Sequence, residues 1–416
     1  VAEPVAFRCL SCGRQYEPWS LDYLCPHCGP ILGTLEVVYD YHLLSRRLTP
    51  TSFAETRRAS LWRYEELLPV GREYGVVLRA GWTPLYPCRL LAAELGLSAL
   101  WIKDDSLNPT ASYKDRATAV VVAAAKRLGR EALTCASTGN TATSVAGFCA
   151  AAGIPAYIFV PQGAPAAKVA QLLAYGGTVF AVEGGYQAAQ ALCQLAREKF
   201  GWYDRSDGAN PINAEGKKTG ALEIWEQLEG ELPDYVLVSV GDGSIISGVC
   251  KGFWELTQVG LAERMPKVYG VQAEGAPAVA EAFRRFQAGE PWLPAEGPAD
   301  TLADSIRVGK PQDVVKAVKY VARTGGGFVT VGDREMVAAA QALAREVGVF
   351  AEPAAAAAYA GLLKLLREEE IPSGAKVVVV ITGSGLKDPH GVLQGLPEPT
   401  VIPPELAALE SALAGG

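Results

Sequence analysis

Four of the chain's nine cysteines stand in its first 28 residues, as Cys9-x-x-Cys12 and Cys25-x-x-Cys28 with twelve residues between the pairs. Two such knuckles can wrap four thiolates tetrahedrally around one Zn²⁺. Gly13 and Gly29 each follow the second cysteine of a knuckle, where the tight turn benefits from a residue that tolerates positive φ. The alternative, a pair of disulfides, is disfavoured in a reducing compartment. Cysteine fills all four positions, so no coordination site stays open and the metal's role would be structural. Residues 1–40 carry a net charge of −3, the wrong sign for phosphate binding. The ribbon therefore reads as a folding module or a protein contact, with His27 as a surface residue. Cys88, Cys135, Cys149, Cys193 and Cys250 are isolated in mostly apolar surroundings and read as buried small hydrophobes.

Four further segments carry polar groups in unusual settings. In Asn108–Arg116, Asn108 and Pro109 make a turn, Ser112 can cap, and Lys114 falls in the first turn of a helix. A cation beside N-terminal N–H groups is pushed toward the neutral amine, the form that makes Schiff bases; a solvated lysine paired with Asp115 is the plainer alternative. Ser137-Thr138-Gly139-Asn140-Thr141 offers small hydroxyls, a glycine and an amide at a helix start, either an anion cradle or an ordinary cap. Gly241–Gly248 has glycines that let backbone N–H groups approach a phosphate. Its spacing is neither a dinucleotide fingerprint nor a Walker loop, so NAD and ATP are poorly supported. Thr382–Asp388 places a hydroxyl at the exit of an apolar run.

The elements that must position these loops follow from apolar runs. Candidate strands are Ala99–Lys103, Ala132–Ala136, Ala156–Val160, Thr178–Val182, Tyr235–Val240, Lys267–Gln272 and Lys376–Ile381. They lack clean alternation, as expected of parallel strands covered on both faces. Helical stretches such as Arg116–Leu128 and Thr143–Ala152 lie between them. Alternating strands and helices predict an α/β fold with open, doubly wound parallel sheets and the ligand at the carboxyl ends of the strands. Phe286–Pro298 reads as a surface excursion, and Leu396–Pro404 as a linker to a last short helix.

The chain's 416 residues suffice for a large core and two or three domains, and the scattered 44 Gly and 27 Pro exclude collagen-like architecture. The net charge of −7 argues against a general binder of nucleic acid or anionic membranes. No apolar run approaches the roughly 18 residues of a membrane span, and no signal peptide is visible in the first ten residues, so a cytoplasmic location is expected.

Together the loops resemble those of the fold-type II pyridoxal-phosphate enzymes, and within them the threonine synthases. The segments carrying the resemblance are NPTASYKDR (Asn108–Arg116), STGNT (Ser137–Thr141), EGKKT (Glu215–Thr219), GDGSI (Gly241–Ile245), TLADSI (Thr301–Ile306) and TGSGLKD (Thr382–Asp388). It covers roughly residues 80–392, and some family members also carry a four-cysteine ribbon. This chain differs in having Ala111 where the family usually has glycine, GDGSI in place of a GNxGN-like loop, and Ser384 in place of a bulkier polar residue.

The resemblance implies two open doubly wound parallel-sheet domains and an N-terminal zinc ribbon. The expected boundaries are a ribbon over 1–40, a large cofactor-binding domain over 41–115 and 215–400, and a small α/β domain over 116–214. It also implies that Lys114 holds pyridoxal 5′-phosphate as an internal aldimine and then shuttles protons, with Asn140 on the ring O3′. Backbone N–H groups of Gly241, Asp242, Gly243, Ser244 and Ile245 would cradle the cofactor phosphate without a cation, and Thr382 would meet the pyridine nitrogen. A hydroxyl there leaves the ring a weaker electron sink, suited to eliminations and replacements at Cβ and Cγ. Ser137, Thr138, Gly139 and Thr141 would grip the substrate carboxylate, with Lys103 and Arg116 as further anion contacts.

The implied reaction converts O-phospho-L-homoserine and water to threonine and phosphate. Sister activities are cysteate synthesis from phosphoserine and sulfite, or serine/threonine dehydration. A reading from a different class is a non-catalytic binding protein built around the zinc ribbon; the intact Lys114, Asn140 and Thr382 set argues for the enzyme. A homodimer acting on a small amino acid, without nucleic-acid or membrane partners, is expected by family analogy. His42 and His390 read as solvated residues, Trp62, Trp82 and Trp101 as core, Ala354–Ala358 as a tightly packed helix, and Asp304 as structural.

Overall fold

The computed structural model describes residues 3–293, 296–394 and 396–414. Strands β1 (Ala6–Cys9), β2 (Gln15–Tyr16) and β3 (Leu35–Val38) form a small antiparallel sheet in the order β2-β1-β3. The chain then lays down β4 (Leu85–Pro87) and β5 (Ala99–Asp104), an antiparallel pair at the edge of a large sheet. A three-residue edge strand ending in Pro87 leaves little unpaired backbone to template another chain.

From β5 the chain departs to build a second sheet from β6 (Leu133–Ala136), β7 (Ala156–Pro161), β8 (Thr178–Val182) and β9 (Tyr203–Asp204). These are parallel, in the order β8-β7-β6-β9. It returns to the large sheet as β10 (Tyr235–Ser239), β11 (Lys267–Ala273), β12 (Gly327–Val331) and β13 (Lys376–Ile381), all parallel, giving the order β12-β11-β10-β13-β5-β4. β13 reads KVVVVI because it lies between β10 and β5 with both faces covered, and Val377 through Ile381 are wholly buried.

Two helices carry the chain between the sheets. Lys114–Arg127 is buried from Asp115 through Ala125 without a break. That explains its run of Ala and Val in place of a polar face. Ile212–Lys217 is buried throughout and leads back to the large sheet. The predicted excursion Phe286–Pro298 begins inside helix Ala278–Gln287, and its residues 294–295 lie outside the described residues. The Pro-rich stretch after residue 395 leads to helix Leu406–Ala414. Among the described residues no helix is long and apolar enough to cross a membrane.

The N-terminal sheet docks on both bodies. On the large-sheet side, Lys251 Nζ donates to Val37 O (2.6 Å), Tyr39 Oη to Glu215 (2.7 Å), Tyr41 Oη to Glu255 (3.0 Å) and Tyr320 Oη to Glu36 (2.5 Å). On the small-sheet side, Tyr23 Oη accepts from Asp204 N (2.9 Å), Arg130 pairs with Asp22 (2.6 Å), and the Arg197 guanidinium lies over the Tyr23 ring.

Most of the bland sequence readings fit their surroundings, whereas Trp82, read as core, carries the Arg63 guanidinium 3.7 Å over its ring. His27, His42 and His390 are exposed, Trp62 is buried, Trp82 and Trp101 are half-buried, and Ala354–Ala358 lie buried inside helix Pro353–Arg367. Asp304 pairs with Lys168 and Arg307.

Candidate active site

The loops singled out by sequence meet at the carboxyl ends of the two parallel sheets. After β5 the chain turns through Asn108, whose side chain accepts from Gly81 N (2.9 Å) and donates to Asp105 (3.0 Å). It then enters its helix with Lys114 as the first residue. Ala111 sits at φ +64, a left-handed conformation costly for a residue with a Cβ. This loop is tied to the one after β13: Tyr113 N donates to Thr382 O (2.8 Å) and Ser384 N to Ala111 O (3.1 Å).

Lys114 Nζ bonds the carboxylate of Asp207, which also receives Lys217 Nζ and Arg205 Nη1 (2.9 Å). Burial would raise the Asp207 carboxyl, but Lys114, Lys217 and Arg205 outweigh it and hold the group well below the usual carboxylate range. Lys217 is fully buried and reaches Ser244 Oγ (2.6 Å). Burial, with Lys114 and Arg205 adding, lowers its amine to about 7 against the pull of Asp207. Thr141 Oγ1 approaches the same Asp207 oxygen as Lys114, at 3.5 Å. Lys114, Lys217 and Arg205 thus converge on a single carboxylate.

The glycine loop after β10 opens helix Ser244–Gln258. Gly243 has φ +97, and a Cβ there would stand 2.9 Å from Ala317, so the turn that aims its N–H groups needs glycine. The first N–H groups of that helix lack intrahelical acceptors and suit an anion. Asp242 Oδ1 accepts from Gln312 N (2.6 Å), while Oδ2 is buried without a partner. Burial first, then Asp313 and Asp207, push its carboxyl up to about 7. Thr382 Oγ1 lies 3.1 Å from Ser239 Oγ at the ends of neighbouring strands. Asn140 opens helix Asn140–Ala152 and donates to Glu352 Oε1 (2.9 Å), while Ser137, Thr138, Gly139 and Thr141 are half-exposed in the cleft. A partly accessible lysine amine, a glycine cradle at a helix start, an amide and a strand-end hydroxyl form a donor set that fits a phosphorylated pyridine aldehyde.

Two expected substrate contacts are corrected. Lys103 is fully buried and spends its three donors on Thr83 O, Glu223 and Gln227, at 2.7–2.9 Å. Arg116 is fully buried and spends its donors on Asp105, Glu223, Thr219 and Thr83. With every N–H engaged, neither offers a donor to a ligand. Sequence reasoning assigned no role to Asp207, Lys217 or Glu352. The repeated lysines of EGKKT were the available signal for Lys217, whereas Asp207 reads as an ordinary Asp-Gly turn.

The four cysteines of the N-terminus come together, with all four sulfurs within 4.8 Å of one another. Cys9 and Cys28 sulfurs are 3.8 Å apart, as are those of Cys12 and Cys25. A tetrahedron with Zn–S bonds of about 2.3 Å has edges of about 3.8 Å.

Comparison with known proteins bears on this geometry. A family model described as pyridoxal-phosphate dependent enzyme matches residues 76–383. The threonine synthase of Methanocaldococcus jannaschii is 40% identical over 409 residues, 98% of each chain. That of Methanosarcina acetivorans is 37% identical over 409 residues, again 98% of each. Among solved structures, the processed form of threonine deaminase isoform 2 from Solanum lycopersicum superposes with a TM-score of 0.64 at 24% identity, covering 76% of this chain and 84% of that one. It shows the same fold. With the lysine, the glycine cradle and the strand-end hydroxyl in one cleft, the chain belongs to the pyridoxal-phosphate dependent enzyme family and is a lyase that uses that cofactor.

Proposed function

We propose that this protein is a threonine synthase, converting O-phospho-L-homoserine and water to L-threonine and inorganic phosphate. The observation that carries the reading is the 40% identity to a threonine synthase across 98% of both chains. The bound cofactor supplies an electron sink for charge developing at Cα and Cβ of the substrate. Lys114 anchors the cofactor, removes the Cα proton and later returns it, with Asp207 as the counter-ion that receives its ammonium form. Asn140 and Thr382 hold the cofactor ring, and the N–H groups of Gly241–Ile245 hold its phosphate. Ser137, Thr138, Gly139 and Thr141 bind the substrate carboxylate at the start of helix Asn140–Ala152. Loss of a Cβ proton accompanies departure of phosphate from Cγ, a proton returned to Cγ makes the methyl group, and water adds its hydroxyl at Cβ while its other proton ends on the released phosphate.

The reading extends to a structural Zn²⁺ on Cys9, Cys12, Cys25 and Cys28, supported by the sulfur spacing. It also includes a cytoplasmic homodimer with the ribbon, large and small domain boundaries expected from sequence. The test is to incubate the cofactor-loaded protein with O-phospho-L-homoserine and measure released phosphate and threonine. Both products are expected in equal amounts, and neither in Lys114→Ala. Cofactor absorbance without turnover would reject this substrate and direct assays to phosphoserine with sulfite, and to serine or threonine.

A further inference from the structure

The loops of the cleft are joined through a buried carboxyl that none of these roles uses. Glu352 precedes helix Pro353–Arg367 and is 3% exposed. Its Oε1 accepts from Asn140 Nδ2 (2.9 Å), its Oε2 accepts from Ser305 Oγ (3.2 Å), and its backbone N donates to Gly383 O (3.1 Å). Gly383 is also bridged to Ser112 in the lysine loop, and Ala351 to Ser384. A Cβ on Gly383 would stand 2.4 Å from Glu352 Oε1 and 3.3 Å from Asn140 Nδ2. The glycine of the TGSG turn therefore makes room for the Glu352–Asn140 pair.

The chemistry of that pair is directional. An asparagine amide nitrogen has two N–H donors, and its oxygen only accepts. A carboxylate oxygen beside it takes one N–H and disfavours the flipped amide, which would set oxygen against oxygen. The second N–H then has a fixed direction, and its acceptor in this structure is Ser305 Oγ at the longer distance of 3.3 Å. The charged and titratable groups facing Glu352 are Asp388 and Lys387, with the neutral donors Asn140 and Ser305 bonded to it. Burial is the main force raising its carboxyl, to about 7, with Asp388 adding, while the two hydrogen bonds and Lys387 pull it back. A buried carboxyl bonded to neutral donors alone is a costly way to fill space.

We propose that Glu352 is a positioning residue for the cofactor ring: it fixes the Asn140 amide through one N–H (2.9 Å), and the cofactor's phenolic oxygen takes the other in place of the longer contact to Ser305 Oγ (3.3 Å). This rests on the reading of Asn140 as a cofactor ligand. Acting through Asn140, Glu352 should matter only while that side chain is present. The test is a double-mutant cycle on pyridoxal phosphate affinity, measured by equilibrium dialysis of the cofactor-stripped full chain. Glu352→Ala is expected to weaken binding roughly tenfold, the scale of one lost hydrogen bond to a ligand, and Asn140→Ala by a similar factor. The double variant should bind no worse than Asn140→Ala alone. Glu352→Gln, which keeps an acceptor, should stay within about threefold of the parent.

Additive losses would overturn the proposal, as would Glu352→Ala binding like the parent while Asn140→Ala is weakened. An unaffected Asn140→Ala would overturn the cofactor role of Asn140 first, and the proposal with it. Should Glu352→Ala fail to fold, Glu352→Asp shortens the side chain by one methylene and withdraws its oxygens from Asn140. It is expected to weaken binding about threefold in the parent and not in the Asn140→Ala background. No change in the parent would then overturn the proposal.

Discussion

Lys251→Met tests whether the N-terminal sheet is held by a buried charge network. Lys251 and Lys218 stand between Glu215 and Glu255, with all four side chains at most 1% exposed. Lys251 Nζ bonds Glu215 and Val37 O and lies 3.5 Å from Glu255; Lys218 Nζ bonds Glu215 (2.6 Å) and forms an ion pair with Glu255 (2.7 Å). The charges balance two against two. Methionine fills similar volume and leaves two carboxylates facing one cation. Breaking a buried pair by removing one partner costs about 3–5 kcal/mol, and here the carbonyl of Val37 also loses its donor.

The sign of the pH dependence follows from Glu215. Burial pushes its carboxyl up, but Lys218 and Lys251 outweigh this and hold it below the usual range. In the parent, that contribution is present above the unfolded pKa and is lost as pH falls through the folded one. In the variant the opposing cation is gone, and a carboxyl of the pair rises above its unfolded value. The folded variant then binds the extra proton, so its stability falls as pH rises, by up to about 1.4 kcal/mol per pH unit. The deficit against the parent should be larger at pH 8 than at pH 5.5. Urea unfolding followed by tryptophan fluorescence reads this directly, because Trp254 packs edge-on against Tyr41 at 5.1 Å. Exposed Lys267→Met, as control, should stay within about 0.5 kcal/mol. A deficit under about 1 kcal/mol at pH 7.5, or one that grows on acidification, would refute the reasoning.

Three other perturbations have definite expected outcomes. Ala111→Gly relieves a left-handed residue at φ +64, worth about 1–2 kcal/mol against about 0.4–1 kcal/mol of added unfolded-state freedom. The urea midpoint should rise by the equivalent of about 0.5–1 kcal/mol, and a fall would contradict the strain. Asp242→Asn keeps the acceptor for Gln312 N and removes a carboxyl raised to about 7. Because the folded parent binds that proton more tightly, it loses stability as pH rises from the unfolded carboxyl pKa to about 7. The cofactor-free variant should therefore exceed the parent by about 4 kcal/mol at pH 8 and by little at pH 4; equal curves across the range would refute this. Cys12→Ser removes an exposed sulfur from the cluster. Zinc measured by atomic emission should fall from one per chain toward zero, whereas a zinc-free parent would refute the metal reading.

Much of the parallel framework was legible because its strands are apolar on both faces. Thr178–Val182 and Lys376–Ile381 coincide with the predicted spans, and the other five predicted strands shift by one residue at an end. The omissions were edge elements: Leu85–Pro87 and Tyr203–Asp204 are too short for a pattern, and Gly327–Val331 follows Gly325 and Gly326, which read as a turn. The loop motifs are local, so sequence could place Lys114, Asn140 and Thr382 at helix starts or strand ends. What a charge does there depends on partners far along the chain. Lys103 and Arg116 looked free for a ligand, but Glu223, more than 100 residues away, claims both. Asp207 and Glu352 were invisible for the same reason, since each is defined by lysine or amide groups from other loops.

The double docking of the N-terminal sheet has a mechanical consequence. Its hydroxyl and carboxylate at Tyr23 and Asp22 grip the small-sheet body, while Tyr39, Tyr41 and Glu36 grip the large one. The segment between those anchors ties the two bodies together like a tendon, with Cys25 and Cys28 of the cysteine cluster inside it and Cys9 and Cys12 drawn in from the strand and turn before it. Any swing of the small body away from the large one must either carry Asp22 and Tyr23 along or tear them loose.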